Sequence, residues 1–553
     1  MKILPVFQAI LISGFTVSVA CAALPAVDQN IIEQRQKALL SQEQQQRKAL
    51  RTPLTLAPLP ALRGNEGGPC QRITQIVFLQ AKHLPARVTR ALAQPRLNRC
   101  MTLAGMEQLR RDATNAYLQR GYVTSQFILP PQDLTTGVLT LAASEGRIES
   151  ITLKGQQPLR LRTAFPGMIG HVLNLRDIEQ GLEQLNRLPS QQVTIDIRPG
   201  KQPGYSALLL QRASKSLPFG ATFSMDNSGQ HSTGSGQLGS NLRLDNPLQL
   251  GDQWQLAINR SSDFSHSRRS LNLNGSVTLP YGYWLLSAQG SRNDQLQQVS
   301  NQGKRWRYQG ENVSQRLNIN RTLWRDGQRK LSGDAGISHR RITSRMAGEK
   351  LRISSPTLSV LHVGGSFSMQ LAGGYLTISP LFNQGIGALG ATPDRARSSG
   401  APRSQFRKFS LSSSYLYPIT DRLSYLTSAS GQTTPDNLYA SERLSIGGQY
   451  SVRGYKEQYL SGNRGAYWRN ELNWHGGRLP LAGEVTLTAA LDGGWLQTKA
   501  KKIDGGTLSG CALGIATQGR WVGQSLSVAK PLSYPERLHP DRWVAYWQLG
   551  ISL

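Results

Sequence analysis

The chain has 553 residues, with 63 Lys and Arg against 33 Asp and Glu, which gives a formal net charge of +30. Only 17% of the residues are charged and 39% are hydrophobic, while glycine is abundant at 55 residues. Past the first 25 residues no apolar run approaches the roughly 18–20 residues that a membrane-spanning helix needs, which excludes a helical membrane protein. Apolar residues recur along the whole length, which argues against disorder and favours a β-rich protein with a wet interior.

The first 22 residues have the pattern of a secretory signal peptide. Lys2 precedes a mostly apolar stretch over 3–19, and Ala20-Cys21-Ala22 forms a cleavage site of the A-x-A type. The alternative is a lipoprotein signal in which Cys21 is acylated. Both interpretations predict export to an oxidising compartment.

Export to an oxidising compartment would allow the cysteines of the chain to form disulfides. If Cys21 leaves with the signal, Cys70 and Cys100 form a candidate disulfide pair and Cys511 is left over. No C-x-x-C motif occurs, so neither a zinc site nor a thiol redox centre is expected. We therefore predict no metal and no cofactor.

Residues 23–51 predict a polar helix followed by a linker. The segment 28–51 is rich in Gln, Glu, Lys, Arg, Leu and Ala and contains no Gly or Pro. One stripe of this helix is formed by Ile31, Ile32, Arg35, Leu39 and Gln42, too few apolar residues to bury much surface. The helix is therefore either solvated on a tether or lodged in a wet cavity. Residues 52–69 contain four prolines and three glycines and predict an extended linker.

Two successive segments, 70–146 and 147–215, predict the same order of elements, β-α-α-β-β. The first has a strand over 72–79, helices over 85–97 and 103–120, and strands over 122–129 and 138–143. The second has a strand over 147–153, helices over 159–165 and 175–188, and strands over 193–197 and 205–211. The repetition indicates tandem copies of one module, the alternative being two unrelated small α+β domains.

Residues 216–553 alternate with a period of two, with apolar side chains on one face and small polar ones on the other. The segments 253–259, 270–279 and 409–417 are the clearest cases. A soluble β-sandwich of this length needs a larger apolar core than these strands supply, whereas a membrane barrel has an apolar outside and a polar lumen. Such a barrel must be closed. At about 21 residues for each strand with its connection, the segment accommodates about 16 strands.

Two further segments carry short motifs. Residues 445–474 contain, in order, Gly447-Gly448, Val452-Arg453-Gly454-Tyr455, Gly462-Asn463-Arg464-Gly465 and Arg469-Asn470-Glu471-Leu472. This segment closely resembles the sixth extracellular loop of the Omp85/TpsB superfamily, with its V-R-G-[YF] tetrad. Residues 490–494, Ala-Leu-Asp-Gly-Gly, resemble the family's F-x-D-x-G strand motif: Asp492 and Gly494 match, and Ala490 replaces the aromatic residue. The two repeated modules resemble the POTRA modules of the same superfamily.

The resemblance implies a fold. It is a transmembrane β-barrel of about 16 antiparallel strands over 216–553, preceded by a plug-like helix and two periplasmic α+β POTRA modules. Two modules, a helix and a Pro-rich linker point to the TpsB branch, the transporters of two-partner secretion. Cys70 and Cys100 match a cysteine pair common in the first module of this branch. The C-terminal segment 543–553 resembles the signal that outer-membrane assembly machinery reads, with Leu553 where that signal usually has Phe.

The resemblance also implies a function and a site. The protein would bind one large partner exoprotein (haemolysin, adhesin or contact-dependent inhibition toxin) through its POTRA modules and pass it unfolded through the barrel. Arg453 would pair with Asp492 on the lumen wall, as a latch that matters for secretion or as a purely structural anchor. An outer-membrane assembly factor of the Omp85 type is the main alternative. A passive porin would need no POTRA modules.

Other functions are disfavoured. None of the eight histidines begins an H-E-x-x-H motif, no G-x-S-x-G occurs, and Gly303-Lys304 is not followed by Ser or Thr as in a P-loop, so we predict no enzyme. The charge of +30 does not indicate nucleic acid, which an exported barrel rarely meets. Basic loops can contact lipopolysaccharide phosphates, basic lumen residues would favour anions, and part of the charge is a solvated surface.

Overall fold

The computed structural model describes residues 26–50, 59–60, 69–153, 158–212, 217–301, 304–394, 400–480, 482–497 and 505–553. The predicted signal peptide over 1–22 and nearly all of the predicted linker over 52–69 lie outside the described residues. The α-helices of the described part are α1 (Ala26–Leu50), α2 (Ala86–Ala93), α3 (Leu103–Leu118), α4 (Pro158–Ala164) and α5 (Leu175–Asn186). Within these residues, no helix is both long enough and apolar enough to cross a membrane.

The strands before the barrel belong to two separate modules. The first module contains β1 (Cys70–Ile73), β2 (Gln75–Leu79), β3 (Arg99–Thr102), β4 (Gln126–Ile128) and β5 (Val138–Ser144). The second contains β6 (Arg147–Leu153), β7 (Val193–Pro199) and β8 (Tyr205–Arg212).

The first module packs α2 and α3 against a three-stranded sheet in the order β2-β5-β4. The apolar face of α3 buries Leu109, Ala113 and Tyr117 against the sheet, where Phe127 and Leu139 are fully buried. The side chain of Thr102 caps the N-terminus of α3 by accepting a hydrogen bond from the Gly105 N–H group.

The predicted elements of this module need two corrections. The single strand expected over 72–79 is broken at Thr74, because Ile73 belongs to the β1–β3 ribbon whereas β2 pairs in parallel with β5. The strand expected over 122–129 contains only Gln126–Ile128. Its first half is a turn, since Gly121 ends α3 at φ +91° and the N–H group of Tyr122 bonds back to the carbonyl of Tyr117.

A disulfide joins the two strands of the β1–β3 ribbon. Cys70 and Cys100 are bonded, with their Cα atoms 5.3 Å apart and a sequence separation of 30. The sequence missed β3, which is only four residues long and has no recognisable period. The covalent bond therefore holds a ribbon that is too short to be stable by itself.

We expect Cys100→Ser to destabilise the first module by about 3–4 kcal/mol, because the closed loop of 30 residues restricts the unfolded chain. Limited proteolysis of the full chain across a urea series measures this change as earlier cleavage between residues 70 and 146. Reductant should reproduce the effect in the wild type and add nothing to the variant. Identical cleavage midpoints for the two proteins would contradict the prediction.

The second module repeats the arrangement with a parallel β6–β8 pair and β7 antiparallel to β8. Asn174 caps α5 through its side chain, which accepts a hydrogen bond from the N–H group of Arg176 at 2.8 Å. Gly181 lets α5 approach Phe165 closely, because a Cβ atom there would lie 1.9 Å from the phenyl ring. The element order predicted for this module is the order observed.

The remaining chain forms the barrel. Its strands are β9 (Phe219–Asp226), β10 (Gln237–Asp245), β11 (Gln253–Ser261), β12 (Arg269–Tyr281), β13 (Trp284–Asn301), β14 (Lys304–Arg325), β15 (Arg329–Met346), β16 (Glu349–Lys350), β17 (Thr357–Leu371), β18 (Gly374–Ile386), β19 (Arg407–Pro418), β20 (Leu423–Thr433), β23 (Arg464–Leu479), β24 (Gly483–Gln497), β25 (Gly506–Gln518), β26 (Val522–Ser533) and β27 (Val544–Ser552). Two short strands, β21 (Leu444–Ile446) and β22 (Leu460–Gly462), form a hairpin in the connection between β20 and β23.

The barrel is closed and antiparallel. β27 returns to pair with β9, and β16 is only a two-residue pairing beside β15, so 16 long strands make the wall. The alternation places large apolar side chains outside: Trp254, Leu256 and Ile258 on β11 all point away from the lumen and are exposed. A closed barrel with an apolar exterior leaves no unpaired edge in a bilayer. The predicted fold class is confirmed.

Candidate functional site

The connection between β20 and β23, residues 434–463, folds back into the barrel and is called loop 6 here. Its β21–β22 hairpin contributes Leu444, Ile446 and Leu460 to a buried apolar cluster with Leu496 and Leu508 of the wall. Val452 and Tyr455, from the predicted tetrad, belong to the same cluster and are fully buried. Loop 6 is therefore packed against the wall like a core element, although it is a loop.

The structure brings the predicted pair Arg453 and Asp492 together at the tip of loop 6. The Arg453 Nε and Nη2 atoms donate to the two carboxylate oxygens of Asp492, each at 2.6 Å, and the Arg453 backbone N–H group donates to Oδ2 at 3.1 Å. Both side chains are buried. A bidentate guanidinium–carboxylate pair of this kind is directional and strong. The geometry supplies the contact, whereas its role in secretion stays a prediction.

A second carboxylate completes the charge balance around Arg453. Arg453 Nη1 donates to Glu471 Oε1 at 2.9 Å, and Arg469 Nη2 donates to the same oxygen at 2.9 Å. Arg469 lies directly opposite Asp492 in the β23–β24 register. Two arginines and two carboxylates thus form one neutral cluster, so that no buried charge is left without an opposite charge.

Small residues allow the tip of loop 6 to approach the wall. Gly454 has φ +99°, and a Cβ atom there would lie 2.6 Å from the backbone of Lys530 and Pro531. On the wall, a Cβ atom at Gly510 would lie 1.9 Å from the Arg453 carbonyl oxygen. Gly494 faces Val452, whose Cγ2 would be 3.1 Å from an added Cβ. Glycine is required at Gly454 and Gly510 because backbone meets backbone there, and at Gly494 its small size leaves room for the Val452 side chain.

Tyr455 fixes the loop on its other side. Its hydroxyl oxygen lies 2.7 Å from the carbonyl oxygens of both Ser509 and Ser533, on neighbouring strands. Its ring packs edge-on against Tyr534, with the ring centroids 6.3 Å apart. Each residue of the tetrad therefore has a distinct contact with the wall.

The helix α1 lies in the lumen, which decides between the two interpretations of the N-terminal helix. Its side chains bond to the wall and to loop 6: Gln34 to Asn293, Gln36 to the Ser445 carbonyl, and Arg47 to Ser414. Among the described residues, the buried apolar cluster that contains a residue of α1 is small and joins Ile31 to Ile342. A helix held mainly by polar contacts suits a wet cavity, and little apolar surface would be exposed if it left.

The stripe predicted for this helix is correct at one end and wrong at the other. Ile31 and Ile32 are buried, but Gln42 is exposed, while Gln36 and Glu43 are buried instead. A single apolar stripe assumes one contacting surface. The lumen surrounds α1, so burial does not follow one face.

Glu442, in the short 3-10 helix Ala440–Glu442 of loop 6, is a charged hub next to α1. Its carboxylate accepts from Arg340 of β15 at 2.8 Å, from Lys408 of β19 at 2.5 Å and from Arg35 of α1 at 3.3 Å. Glu442 and Lys408 are both buried. This cluster is the place where helix, loop and wall share one ionic network.

The sequence prediction missed Glu442, Glu471 and Gly510. Glu471 was within a quoted motif and shares the lumen face with Arg469, two residues away, which is the signal that would have assigned it. Glu442 and Gly510 belong to no pattern, because their importance depends on segments that are distant in sequence. Among the described residues, no group of three or more His, Cys, Asp or Glu side chains is arranged to hold a metal ion.

The second module docks on the barrel through α5. Arg325 Nη1 of β14 donates to Glu183 Oε2 at 3.1 Å, and Lys330 of β15 contacts the same carboxylate. Gln184 donates to the Gly282 carbonyl at 3.0 Å. Burial alone would raise the pKa of Glu183, but Lys330 and Arg325 lower it below its ordinary value. The carboxylate therefore stays charged in the docked state.

This pKa shift predicts that docking of the second module on the barrel depends on pH. A lowered carboxyl pKa gives stabilisation that is complete above the ordinary glutamate value, about 4.3, and is lost as the pH falls through the lowered pKa. We expect docking to be intact at neutral pH and to loosen only at a pH below the ordinary glutamate pKa, because the pKa of Glu183 is lowered. Docking is measured as the distance between a spin label at position 201, in the second module, and one at position 421, in the turn between β19 and β20 of the barrel. The labels are introduced in a Cys511→Ser background.

Glu183→Gln should weaken the contact between the second module and the barrel at pH 7, and the distance between the labels should then no longer change with pH. Asp196→Asn, which changes an exposed carboxylate of the same module, is the matched control and should change nothing. Equal distance distributions for the wild type at pH 7 and pH 3.5 would contradict the prediction.

These features together define a class of protein. The closed barrel with an apolar exterior, the two α+β modules in front of it and the loop 6 packed against the inner wall are those of an outer-membrane barrel with periplasmic POTRA modules. Residues 71–146 match the POTRA domain of ShlB type, and residues 147–199 match a POTRA domain.

The particular family follows from the comparisons. Residues 204–517 match the family of the haemolysin secretion/activation proteins ShlB/FhaC/HecB. The chain is 43% identical to the outer membrane transporter CdiB of Dickeya dadantii over 98% of this chain and 97% of that protein, and 31% identical to the hemolysin transporter protein ShlB of Serratia marcescens over 75% and 73%. The solved structure of CdiB from Escherichia coli superposes with a TM-score of 0.93 at 40% identity, over 96% of this chain and all of that one.

The chain belongs to the ShlB/FhaC/HecB family. It is an outer-membrane transporter of two-partner secretion, with its POTRA modules in the periplasm. The end of the barrel that docks on α5 is therefore periplasmic, and the opposite end is extracellular.

Proposed function

We propose that this transporter exports one large exoprotein of the class carried by the CdiB transporters, rather than a haemolysin. Identity to CdiB of Dickeya dadantii extends over nearly the whole chain at 43%, whereas identity to the haemolysin transporter ShlB is 31% over three quarters of it. The POTRA modules bind the unfolded cargo in the periplasm by adding its strand to a sheet edge. The cargo then passes through the lumen and folds outside, and no enzymatic reaction is involved.

The observation that supports this mechanism is the polar character of what fills the lumen. The helix α1 contacts the wall and loop 6 through side chains such as Arg35, Gln36 and Arg47. Polar contacts exchange for water at low net cost, so α1 is suited to leave and return. A cavity of 390 Å³ already separates α1 from the wall beside Asn318 and Arg340. On this proposal α1 is the plug and Arg453–Asp492 is the latch of loop 6.

Three further partners belong to the proposal. The outer-membrane barrel assembly machinery reads the strand β27 during biogenesis, and lipid and lipopolysaccharide surround the finished barrel. The exterior of β27 carries Trp547, Leu549 and Ile551, an apolar row that suits a lipid environment.

The test is export of the exoprotein encoded beside this transporter. Both are co-expressed, and the exoprotein is quantified in the medium, on the cell surface and in the periplasm. Surface exoprotein that depends on this chain supports the proposal. A folded barrel, identified by heat-modifiable gel migration, that leaves the exoprotein in the periplasm contradicts it. Loss of many unrelated outer-membrane proteins on deletion would instead indicate an assembly factor.

A further inference from the structure

Two adjoining recesses lie on the outer surface of the barrel, the larger one extending from β9 to β15 and the smaller one across β12, β13, β14 and β15. The one nearer the periplasm has a volume of 910 Å³ and is mostly apolar, with Leu256, Val277, Ala288, Leu317 and Ile337 among its lining residues. The recess exists because Gly275 and Gly290, which pair across β12 and β13, have no side chain, whereas the outward positions next to them carry Leu273, Val277, Ala288 and Arg292. A Cβ atom at either glycine would meet nothing within 4 Å.

The second recess lies above the first, toward the extracellular end of the same four strands. It has a volume of 260 Å³ and is polar, with Arg269, Arg292, Arg345, Asp294 and Glu311 in its lining. Arg292 lies two residues beyond Gly290 on β13, so that both point to the same side of the sheet.

That side is the outside of the barrel. Arg292 pairs across the sheet with Leu273, which is exposed on the outer surface, and with Val313 of β14. Val313 in turn pairs with Arg341 of β15, so Arg341 extends the same outward row. Residues that are directly opposite in a sheet share a face.

The charges of the upper recess are unequal. Arg292 binds both acidic residues, with Nε 3.1 Å from Asp294 Oδ2 and Nη2 3.0 Å from Glu311 Oε1. Arg269, Arg341 and Arg345 make no ion pair with any residue that the structure describes. Arg269 and Arg345 in the recess, and Arg341 on the adjoining outward row, therefore carry positive charge toward the extracellular end of the outer surface, beside an acidic pair that Arg292 already binds.

We propose that the two recesses form one binding site for the lipid A part of lipopolysaccharide. Arginine forks bind phosphate bidentately, so the upper recess fits a phosphorylated sugar head group. The lower apolar recess fits the acyl chains, which would lie against Gly275 and Gly290 in the outer leaflet. A free phosphate would use only the upper recess and would leave the apolar one without an occupant. The site rests on the outer-membrane location of the barrel and not on the cargo or on the latch.

Titration of the purified full chain in a neutral detergent with lipid A carrying two phosphates, read by native mass spectrometry, tests the proposal. We expect a discrete number of bound lipids, and a loss of affinity of about ten-fold or more in Arg269→Ala/Arg345→Ala, which removes two phosphate contacts. Gly290→Leu, which fills the lower recess without an internal clash, should weaken binding of lipid A but not of inorganic pyrophosphate. Arg422→Ala/Arg478→Ala, which removes two exposed arginines near the periplasmic end, is the matched control.

Three results would overturn the proposal. One is equal lipid A affinity in the wild type and in Arg269→Ala/Arg345→Ala, when both migrate as folded barrels. Another is equal affinity for lipid A and its dephosphorylated form. The last is pyrophosphate binding as tight as lipid A binding, which would make the upper recess a phosphate site only. None of these readouts depends on secretion, so failure here and failure of the proposed function are distinguishable.

Discussion

In the variant Arg453→Ala, export of the exoprotein is expected to fall at least about ten-fold while the barrel still assembles. The change leaves Asp492 buried without its partner, which costs about 3–5 kcal/mol. A ten-fold change in the fraction of molecules with loop 6 in its observed position needs only about 1.4 kcal/mol. Loop 6 would then lose its position against β24 and β25. Surface exoprotein is measured by immunoblot and whole-cell binding, and barrel assembly by heat-modifiable migration.

Two further variants separate a latch from a structural anchor. Arg453→Lys keeps the charge but cannot form the bidentate pair seen at 2.6 Å for both contacts, so we expect only partial export. Arg453→Ala/Asp492→Ala removes both charges, leaves Glu471 paired with Arg469, and should recover thermal stability without recovering export. If export returns together with stability, the pair is only an anchor.

An unchanged export level in Arg453→Ala would contradict the latch outright. Arg464→Ala is the matched control, because Arg464 belongs to the same motif-bearing segment and its Nε donates to the Thr434 carbonyl at 2.8 Å, with no ion pair to any described residue. It should reduce export by less than about five-fold, since a single hydrogen bond to a neutral group contributes about 1 kcal/mol or less.

Deleting residues 26–50 is expected to raise the single-channel conductance of the pore about three-fold or more. An α-helix with its side chains fills a cylinder about 10–12 Å wide, and α1 lies inside the barrel along β13, β14, β17, β18 and β19. Removing it leaves loop 6 as the remaining obstruction among the described residues. Planar-bilayer recordings of the purified protein measure the conductance and the open probability.

The anchors of α1 are tested separately by Arg35→Ala/Gln36→Ala/Arg47→Ala. This variant removes bonds to Glu442, Ser445 and Ser414 and should show brief openings to the level of the deletion. Lys37→Ala/Gln44→Ala/Gln45→Ala changes three exposed residues of the same helix and is the matched control. A deletion variant that conducts like the full chain would show that α1 does not block the pore.

Much of this architecture could be predicted from the residues alone. A period of two over more than 300 residues requires a two-faced sheet, and the absence of a sufficient apolar core turns that sheet into a barrel in lipid. The tetrad around Arg453 and the motif around Asp492 are local strings, so their resemblance to a family is visible without coordinates. The cysteine count left Cys70 and Cys100 as a candidate pair, which the resemblance to the family also implied, and the two are bonded. The predicted module boundaries stay predictions.

Other parts depended on the tertiary structure. Which side chains of α1 are buried follows from a lumen that surrounds the helix, and no stripe of its sequence encodes that. The hub of Glu442 with Arg35, Arg340 and Lys408 joins four segments that are far apart in the chain, and Gly510 matters only because the Arg453 carbonyl lies against it. The sequence by itself determined the class of fold and the family, because periodicity and short motifs are local properties. The tertiary structure decided the lumen contacts and the outer recesses, because these depend on which strands meet once the barrel has closed.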